Sequence, residues 1–324
     1  MITRIHIQNY RSFVDAEVKL RPFSLVIGAN GSGKSNLLRS MMDADDAFLA
    51  LYKRDERGFR FDKHSNHSNE PSIVTCNVTG EERTFTMRDD DLRASSNFRL
   101  GEAVIYNLSV GAVSRSEAVT QNPKVYATGA GTAQVLEALK NGDREDLFQR
   151  IEECFRRFVP EVEKLSLRTV EEGKKQIQVR ERGLKEPLPA TELSEGTRLI
   201  LCILTIIHQE KPPPVILLED IDRGMHPRIF EQVVPLMRDI AEKHDINIIA
   251  TTHNPYLVDC FQDDKEAVII VEKKDGASTL STLASRLEGL DYDKIDPDDM
   301  PLGNLWYSGF VGGVPGRQSK RVKP

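Results

Sequence analysis

FSLVIGANGSGKSNLLRSMM, residues 23–42, decides the fold. Phe23–Ile27 is a short apolar run and reads as a buried strand. It runs into Gly28-Ala-Asn-Gly-Ser-Gly-Lys-Ser35, which satisfies GxxxxGK[ST], and NLLRSMM continues as a helix. In such a loop the glycines let successive backbone N–H groups face a phosphate chain. Lys34 reaches the β- and γ-phosphates, and the Ser35 hydroxyl ligates magnesium. The helix behind the loop adds its N-terminal dipole. Strand, loop and helix in this order are the context the motif requires. The candidate phosphate contacts are therefore Gly28, Asn30, Gly31, Gly33, Lys34, Ser35 and Asn36.

A phosphate loop alone leaves kinases, GTPases and many ATPases open, and three later stretches narrow the choice. TELSEGTRLILCIL, residues 191–204, places Ser194, Glu195 and Gly196 at the start of an apolar helix, with Ser194 suited to cap it. Free N–H groups at such a helix start can bind a γ-phosphate. VILLEDIDRGMHP, residues 215–227, runs four apolar residues into Glu219 and Asp220. Two acids ending a buried strand are costly without a cation, so a magnesium role is expected. ATTHNP, residues 250–255, brings His253 to the end of a further apolar strand.

In this order the four stretches resemble the ABC-type ATPases of the SMC, RecF and OLD (overcoming lysogenization defect) kind. ITRIHIQNYRSFVDAEVKL, residues 2–20, resembles their "ikNFrsf" start. The resemblance covers residues 1–42 and 187–260 well and the region between loosely. It implies an α/β fold: a P-loop NTPase of the ABC-ATPase head type with an inserted α+β subdomain. It also implies ATP and Mg2+ as ligands, with Ser35 and Glu219 on the metal, and a homodimer that sandwiches ATP. The loop Gly28–Ser35 of one copy would face Ser194, Glu195 and Gly196 of the other. Ligation that favours the closed pair makes ATP a switch. His253 takes the place of the switch histidine, and Arg11 and Ser12 are expected beside the nucleotide.

Where those relatives read roughly IDEPExGLHP, this sequence reads LEDIDRGMHP. Glu219 falls on the magnesium-shell Asp, Asp220 on the Glu that activates water, and Asp222 on the next acid. The exchange moves one methylene, about 1.5 Å, from the base to the metal acid. Misplacement of that size costs on the order of a hundredfold in rate. Slow hydrolysis is expected, with Asp220 or Asp222 activating the water.

Periodicity elsewhere predicts strands at SIVTCNV, RTFTM, EAVIYNL and KVYAT, helices within 132–158, and a hairpin joining KLSLRTV to KQIQVRE. A helix carrying Pro235 follows Pro227, and AVIIVEK and STLSTL form a hairpin around Asp275–Gly276. The expected organisation is an ATPase core of residues 1–42 and 186–283, an inserted strand-and-helix subdomain of 43–185, and a C-terminal helix, loop and basic tail of 284–324. The insertion is too short and strand-rich for a long coiled-coil arm. LGNLWYSGF is either a docking element exposing Trp306, Tyr307 and Phe310 or a packed terminal helix. His64 and His67 lie in a polar loop with too few neighbours for a metal site.

Net charge is −6, so any nucleic acid must meet a local patch such as Arg317, Lys320, Arg321 and Lys323. No apolar run is long enough to span a membrane. The charged N-terminus does not read as a signal peptide. Cys76, Cys154, Cys202 and Cys260 are widely spaced and form no CxxC pair. A cytoplasmic protein without a membrane partner is expected. Three functions remain open. The first is an ATP-driven switch controlling a nucleic-acid-processing or defence effector, with a nuclease as a separate chain because no Toprim-like acid-tipped strand set follows His253. The second is the ATPase subunit of a transporter, which the long separation of Ser35 from Ser194 disfavours. The third is a nucleotide-dependent scaffold with negligible turnover.

Overall fold

A computed structural model describes residues 1–53, 71–78, 81–88, 91–94, 102–290 and 300–315. His64, His67 and the basic tail fall outside these residues. The first elements are β1 (Ile2–Tyr10), β2 (Phe13–Lys19), β3 (Phe23–Ile27), α1 (Lys34–Lys53), β4 (Ser72–Val78), β5 (Glu81–Arg88) and β6 (Asp91–Ala94). Next come β7 (Ala103–Tyr106), α2 (Val110–Val113), α3 (Thr132–Asn141), α4 (Glu145–Phe158), β8 (Val162–Thr169), β9 (Lys175–Glu181) and β10 (Leu188–Pro189). Then follow α5 (Glu195–His208), β11 (Val215–Leu218), α6 (Phe230–Lys243), β12 (Asn247–Thr251) and α7 (Pro255–Asp259). The last are β13 (Val268–Lys274), β14 (Ala277–Thr282), α8 (Leu283–Glu288) and α9 (Leu302–Tyr307).

The chain forms two compact units, one of Met1–Arg99 with Ile249–Pro324 and one of Leu100–Ile248. Residues 43–185, read from sequence as one insertion, contribute to both. The first unit carries strands in the order β6-β5-β4-β1-β2-β14-β13-β3-β12. One side is an antiparallel meander: β1 pairs with β2 and β4, and β5 pairs with β4 and β6. The other side is built around β3, buried along its whole length and parallel to β13. A strand covered on both faces is largely apolar, which is why FSLVI shows no alternation; its one polar residue, Ser24, is buried with its hydroxyl bonded to the Arg21 backbone. The β13–β14 hairpin turns at Asp275 and Gly276, both with positive φ, 51° and 87°, as a two-residue turn of matching twist requires.

In the second unit β7 and β11 pair in parallel, Ala103 opposite Val215 and Tyr106 opposite Leu218. β10-β9-β8 forms a separate three-stranded sheet. Phe148, Ile151, Phe155 and Phe158 line the buried face of α4, three to four residues apart. α5 is apolar almost all round, and every residue from Leu199 to His208 is buried.

Several expectations are corrected. KVYAT is not a strand; Asn107 and Ser109 donate singly to Ala127 O and Thr128 O, and Lys124–Thr128 runs as irregular chain. The second strand, expected from sequence near Ala16–Leu20, begins at Phe13, since Phe13 already pairs with Tyr10 across the tight turn. β6, too short and polar to stand out, was not foreseen. In LGNLWYSGF, for which the sequence allows a docking element or a packed helix, Trp306 is packed at 5% exposure while Tyr307 and Phe310 are exposed. None of the four cysteines is in a disulfide, and burial pushes the Cys76 and Cys202 thiols up to about 12. Among the described residues no helix is long and apolar enough to cross a membrane.

Candidate functional site

In the first unit the phosphate loop leaves β3 at Gly28 and enters α1 at Lys34. Its glycines Gly28, Gly31 and Gly33 have φ of 152°, 73° and 117°. A Cβ at Gly28 would sit 2.3 Å from Val271 O and one at Gly33 would sit 2.6 Å from Ser278 Oγ, so neighbouring chain presses on the loop from behind. A Cβ at Gly31 would meet nothing within 4 Å. The loop is thus backed on one side and open on the other. Lys34 is 7% exposed, and its ammonium donates to Gly28 O at 2.8 Å and Ala29 O at 3.1 Å. Ser32 Oγ is buried without a hydrogen-bond partner. A buried hydroxyl left unsatisfied in a loop of glycines, beside a cation turned onto the loop's own carbonyls, fits a site that takes an anionic ligand. Ser35 is exposed at the helix start, where its hydroxyl can reach a metal on such a ligand.

Arg11, left-handed at φ 50°, and Ser12 form the turn between β1 and β2. Ser12 is buried and accepts from Asn36 Nδ2 at 2.8 Å, so it props the helix that follows the loop. Arg11 Nε donates to Tyr10 OH at 3.0 Å. Tyr10 in turn donates to Asp43, and burial first, then the Asp43 carboxylate, raise its phenol.

His253 stands exposed two residues beyond β12. Thr252 N–H donates to Val26 O at 3.2 Å and fixes that strand end beside β3. Asn254 caps α7 by accepting from Tyr256 N–H. His253 and Gly28 line one cavity of about 1080 Å³, whose far wall is the C-terminal segment with Trp306, Tyr307, Phe310 and Gly313. That segment is held in place. Gly313 N–H donates to Glu272 Oε1 at 2.9 Å, Trp306 Nε1 to Gly313 O at 3.3 Å, and Gly303 N–H to Asp259 Oδ1 at 2.7 Å.

In the second unit Ser194 is the exposed N-cap of α5, accepting from Thr197 N–H at 3.1 Å. Gly196 lies against the turn after β11; a Cβ there would be 2.1 Å from Gly224 O. Glu195 pairs with Arg223 at 3.1 Å. The helix start and the turn after the two acids are therefore one packed assembly. Glu219 is half-buried, and its carboxylate accepts from Asn107 Nδ2 at 3.1 Å. Asp220 is exposed and left-handed, φ 48°. Asp222 accepts at its backbone carbonyl from Met225 N–H.

The structure thus brings Gly28 and His253 together in one unit, and Ser194–Gly196 and the 219–224 turn together in the other. Sequence reasoning missed Asn107, Ser278 and Glu272. None lies in a motif; each is brought in by strand pairing at a distance.

Residues 133–259 match the family model described as "AAA domain, putative AbiEii toxin, Type IV TA system", and residues 1–79 match "AAA ATPase domain". No curated protein matches the sequence. Among solved structures, the SmcHead bound to the C-winged helix domain of ScpA aligns with a TM-score of 0.59 at 15% identity, over 87% of this chain and 97% of that chain. The Smc head with an extended coiled coil bound to the C-terminal domain of ScpA, from Pyrococcus furiosus, gives 0.55 at 15% identity, over 91% and 99%. The Smc head with a coiled coil and joint from Pyrococcus yayanosii gives 0.54 at 12%, over 91% and 99%. At these identities the likeness shows the fold alone: a mixed α/β P-loop fold like that of the Smc heads.

Proposed function

We propose that this SMC-like, ABC-type ATPase head is an ATP-gated switch in the cytoplasm. Two copies close around ATP, and slow hydrolysis to ADP and phosphate reopens them. The cycle controls a separately encoded effector, a nuclease acting on nucleic acid in defence or repair. The observation that carries the reading is the cavity shared by Gly28 and His253. It supports a site in which the first residue of a phosphate loop and a strand-end histidine meet the same ligand.

Each group has a task in that reading. The N–H groups of the loop and the Lys34 ammonium hold the β- and γ-phosphates and neutralise the charge that develops on them. Ser35 and Glu219 would hold magnesium, which when bound draws electron density from the phosphate oxygens. Asp220 accepts a proton from the attacking water, and His253 donates toward the γ-phosphate. The start of α5, Ser194 to Gly196, offers its N–H groups to the γ-phosphate of the partner copy. The sandwich itself rests on the family resemblance.

The defence reading is supported by the toxin–antitoxin wording of the matched family. The separate effector chain is supported by the SMC heads, which are bound to a second chain, ScpA. Light scattering with ATP and with ADP tests the switch, and phosphate release with and without DNA tests the chemistry. A protein that stays monomeric with ATP, or that binds none, refutes the reading.

A further inference from the structure

We infer that Ser278 is a positioning residue that aims the Gly33 N–H into the phosphate cradle; the inference rests on the ATP reading above and deepens it. Ser278 is the second residue of β14, is 1% exposed, and belongs to no motif. Its backbone N–H donates to Ser12 O at 2.6 Å, and its hydroxyl lies 2.5 Å from Ser32 O and 2.8 Å from Ser12 Oγ. Asn36 Nδ2 donates to the same Ser12 hydroxyl at 2.8 Å.

Donor accounting fixes the direction. Ser32 O can only accept, so the single Ser278 hydroxyl proton goes to it. With that proton committed, the 2.8 Å contact between the two hydroxyls is a hydrogen bond only with Ser12 as donor, while a lone pair of Ser12 Oγ accepts from Asn36. The result is a one-way relay, Asn36 to Ser12 to Ser278 to the Ser32 carbonyl, in which each bond polarises the next. Ser32 C=O and Gly33 N–H belong to one planar trans peptide and point in opposite directions. Holding the carbonyl back against Ser278 therefore turns the Gly33 N–H outward, toward the side where phosphate is bound. The same contact accounts for the glycine: a Cβ at Gly33 would sit 2.6 Å from Ser278 Oγ and 3.1 Å from Ser12 Oγ. Without the Ser278 hydroxyl the 32–33 peptide is free to rotate, and one cradle donor is no longer pre-aimed.

The test uses the full chain, labelled with 15N-glycine, titrated with ATP and with a fluorescent N-methylanthraniloyl ATP. Wild type should bind, with the Gly33 amide proton moving downfield. Ser278→Ala should bind about tenfold more weakly, with the Gly33 shift reduced and the nucleotide-free Tm changed little. Ser12→Ala, which removes the donor to Ser278 but leaves the Ser278–Ser32 bond, should lose about threefold and move the Gly33 resonance the same way; it serves as the test should Ser278→Ala not fold. Variants that bind like wild type with an unmoved Gly33 resonance overturn the inference alone. A wild type that binds no nucleotide overturns the ATP reading and the inference with it.

Discussion

Asn107 donates to the carboxylate of Glu219 at 3.1 Å, from the residue that follows β7 to the residue that follows β11. The two strands pair in parallel, and Glu219 N–H donates to Tyr106 O at 3.0 Å, so the side chains emerge together at the strand ends. A neutral donor there orients Glu219 without competing for its charge. Asn107→Ala should lower kcat about tenfold, the order expected for a lost hydrogen bond to a charged group, and leave ATP affinity within about twofold. Asn107→Asp should be worse, because it replaces the donor to Glu219 with a second carboxylate that has none to offer and repels it. Turnover at saturating ATP, paired with a nucleotide titration, checks both; equal kcat in all three proteins would show that Glu219 needs no such partner.

The order of the two acids has a backbone reason. Asp220 is left-handed, with φ 48°, and short polar Asp or Asn occupy that region more readily than longer side chains. Asp220→Asn keeps the backbone and should abolish hydrolysis while preserving ATP binding; Lys34→Ala should abolish both. Exchanging the acids, Glu219→Asp with Asp220→Glu, should raise kcat toward a hundredfold at a cost of about 1 kcal/mol in stability. Thermal melts and steady-state phosphate release measure the two effects separately. An unchanged rate in Asp220→Asn would move the water-activating role to Asp222.

Gly196 has no room for a side chain, since a Cβ would lie 2.1 Å from Gly224 O. Gly196→Ala should therefore cost about 1–3 kcal/mol by overpacking and lift the start of α5 off the 219–224 turn. We expect a lower Tm, ATP binding within about threefold of wild type because Lys34 is untouched, and no ATP-dependent dimer. Light scattering decides it, and a normal dimer would show that this helix start takes no part in closure.

The parts of the fold that could be read in advance are those with strong local chemistry. FSLVI, the phosphate loop, the α5 cap at Ser194 and the Asp275–Gly276 turn each carry their geometry in a few adjacent residues. KVYAT failed because apolar alternation without a partner strand makes only irregular chain, and its carbonyls serve Asn107 and Ser109 singly. At the cavity, Gly28 and His253 were legible in advance because each follows a short buried strand that reads as one in the sequence. Ser278 and Asn107 were not, because each acts through a pairing with sequence-distant chain. Trp306 illustrates the same limit: its burial depends on Gly313 O and the packing around it, which composition does not encode.

His208 gives a prediction about stability rather than catalysis. It closes α5, is 6% exposed, and its Nδ1 meets Leu204 O at 2.9 Å. Burial first, with Arg150 and His244 adding to it, pushes its pKa down to about 4. The unfolded chain has an ordinary histidine near 6.5, so between the two values the unfolded state binds more protons. Stability from this group is therefore complete above about pH 6.5 and is lost as pH falls toward 4, by at most about 1.4 kcal/mol per pH unit. His208→Gln, which keeps a polar side chain able to reach Leu204 O, should show a shallower fall over that window than wild type. Urea unfolding at pH 7.5, 6.0 and 5.0 measures the slope, and the difference between the two proteins isolates His208 from the carboxylates that titrate alongside it. Parallel slopes would mean that His208 is protonated in the folded chain as readily as in the unfolded one.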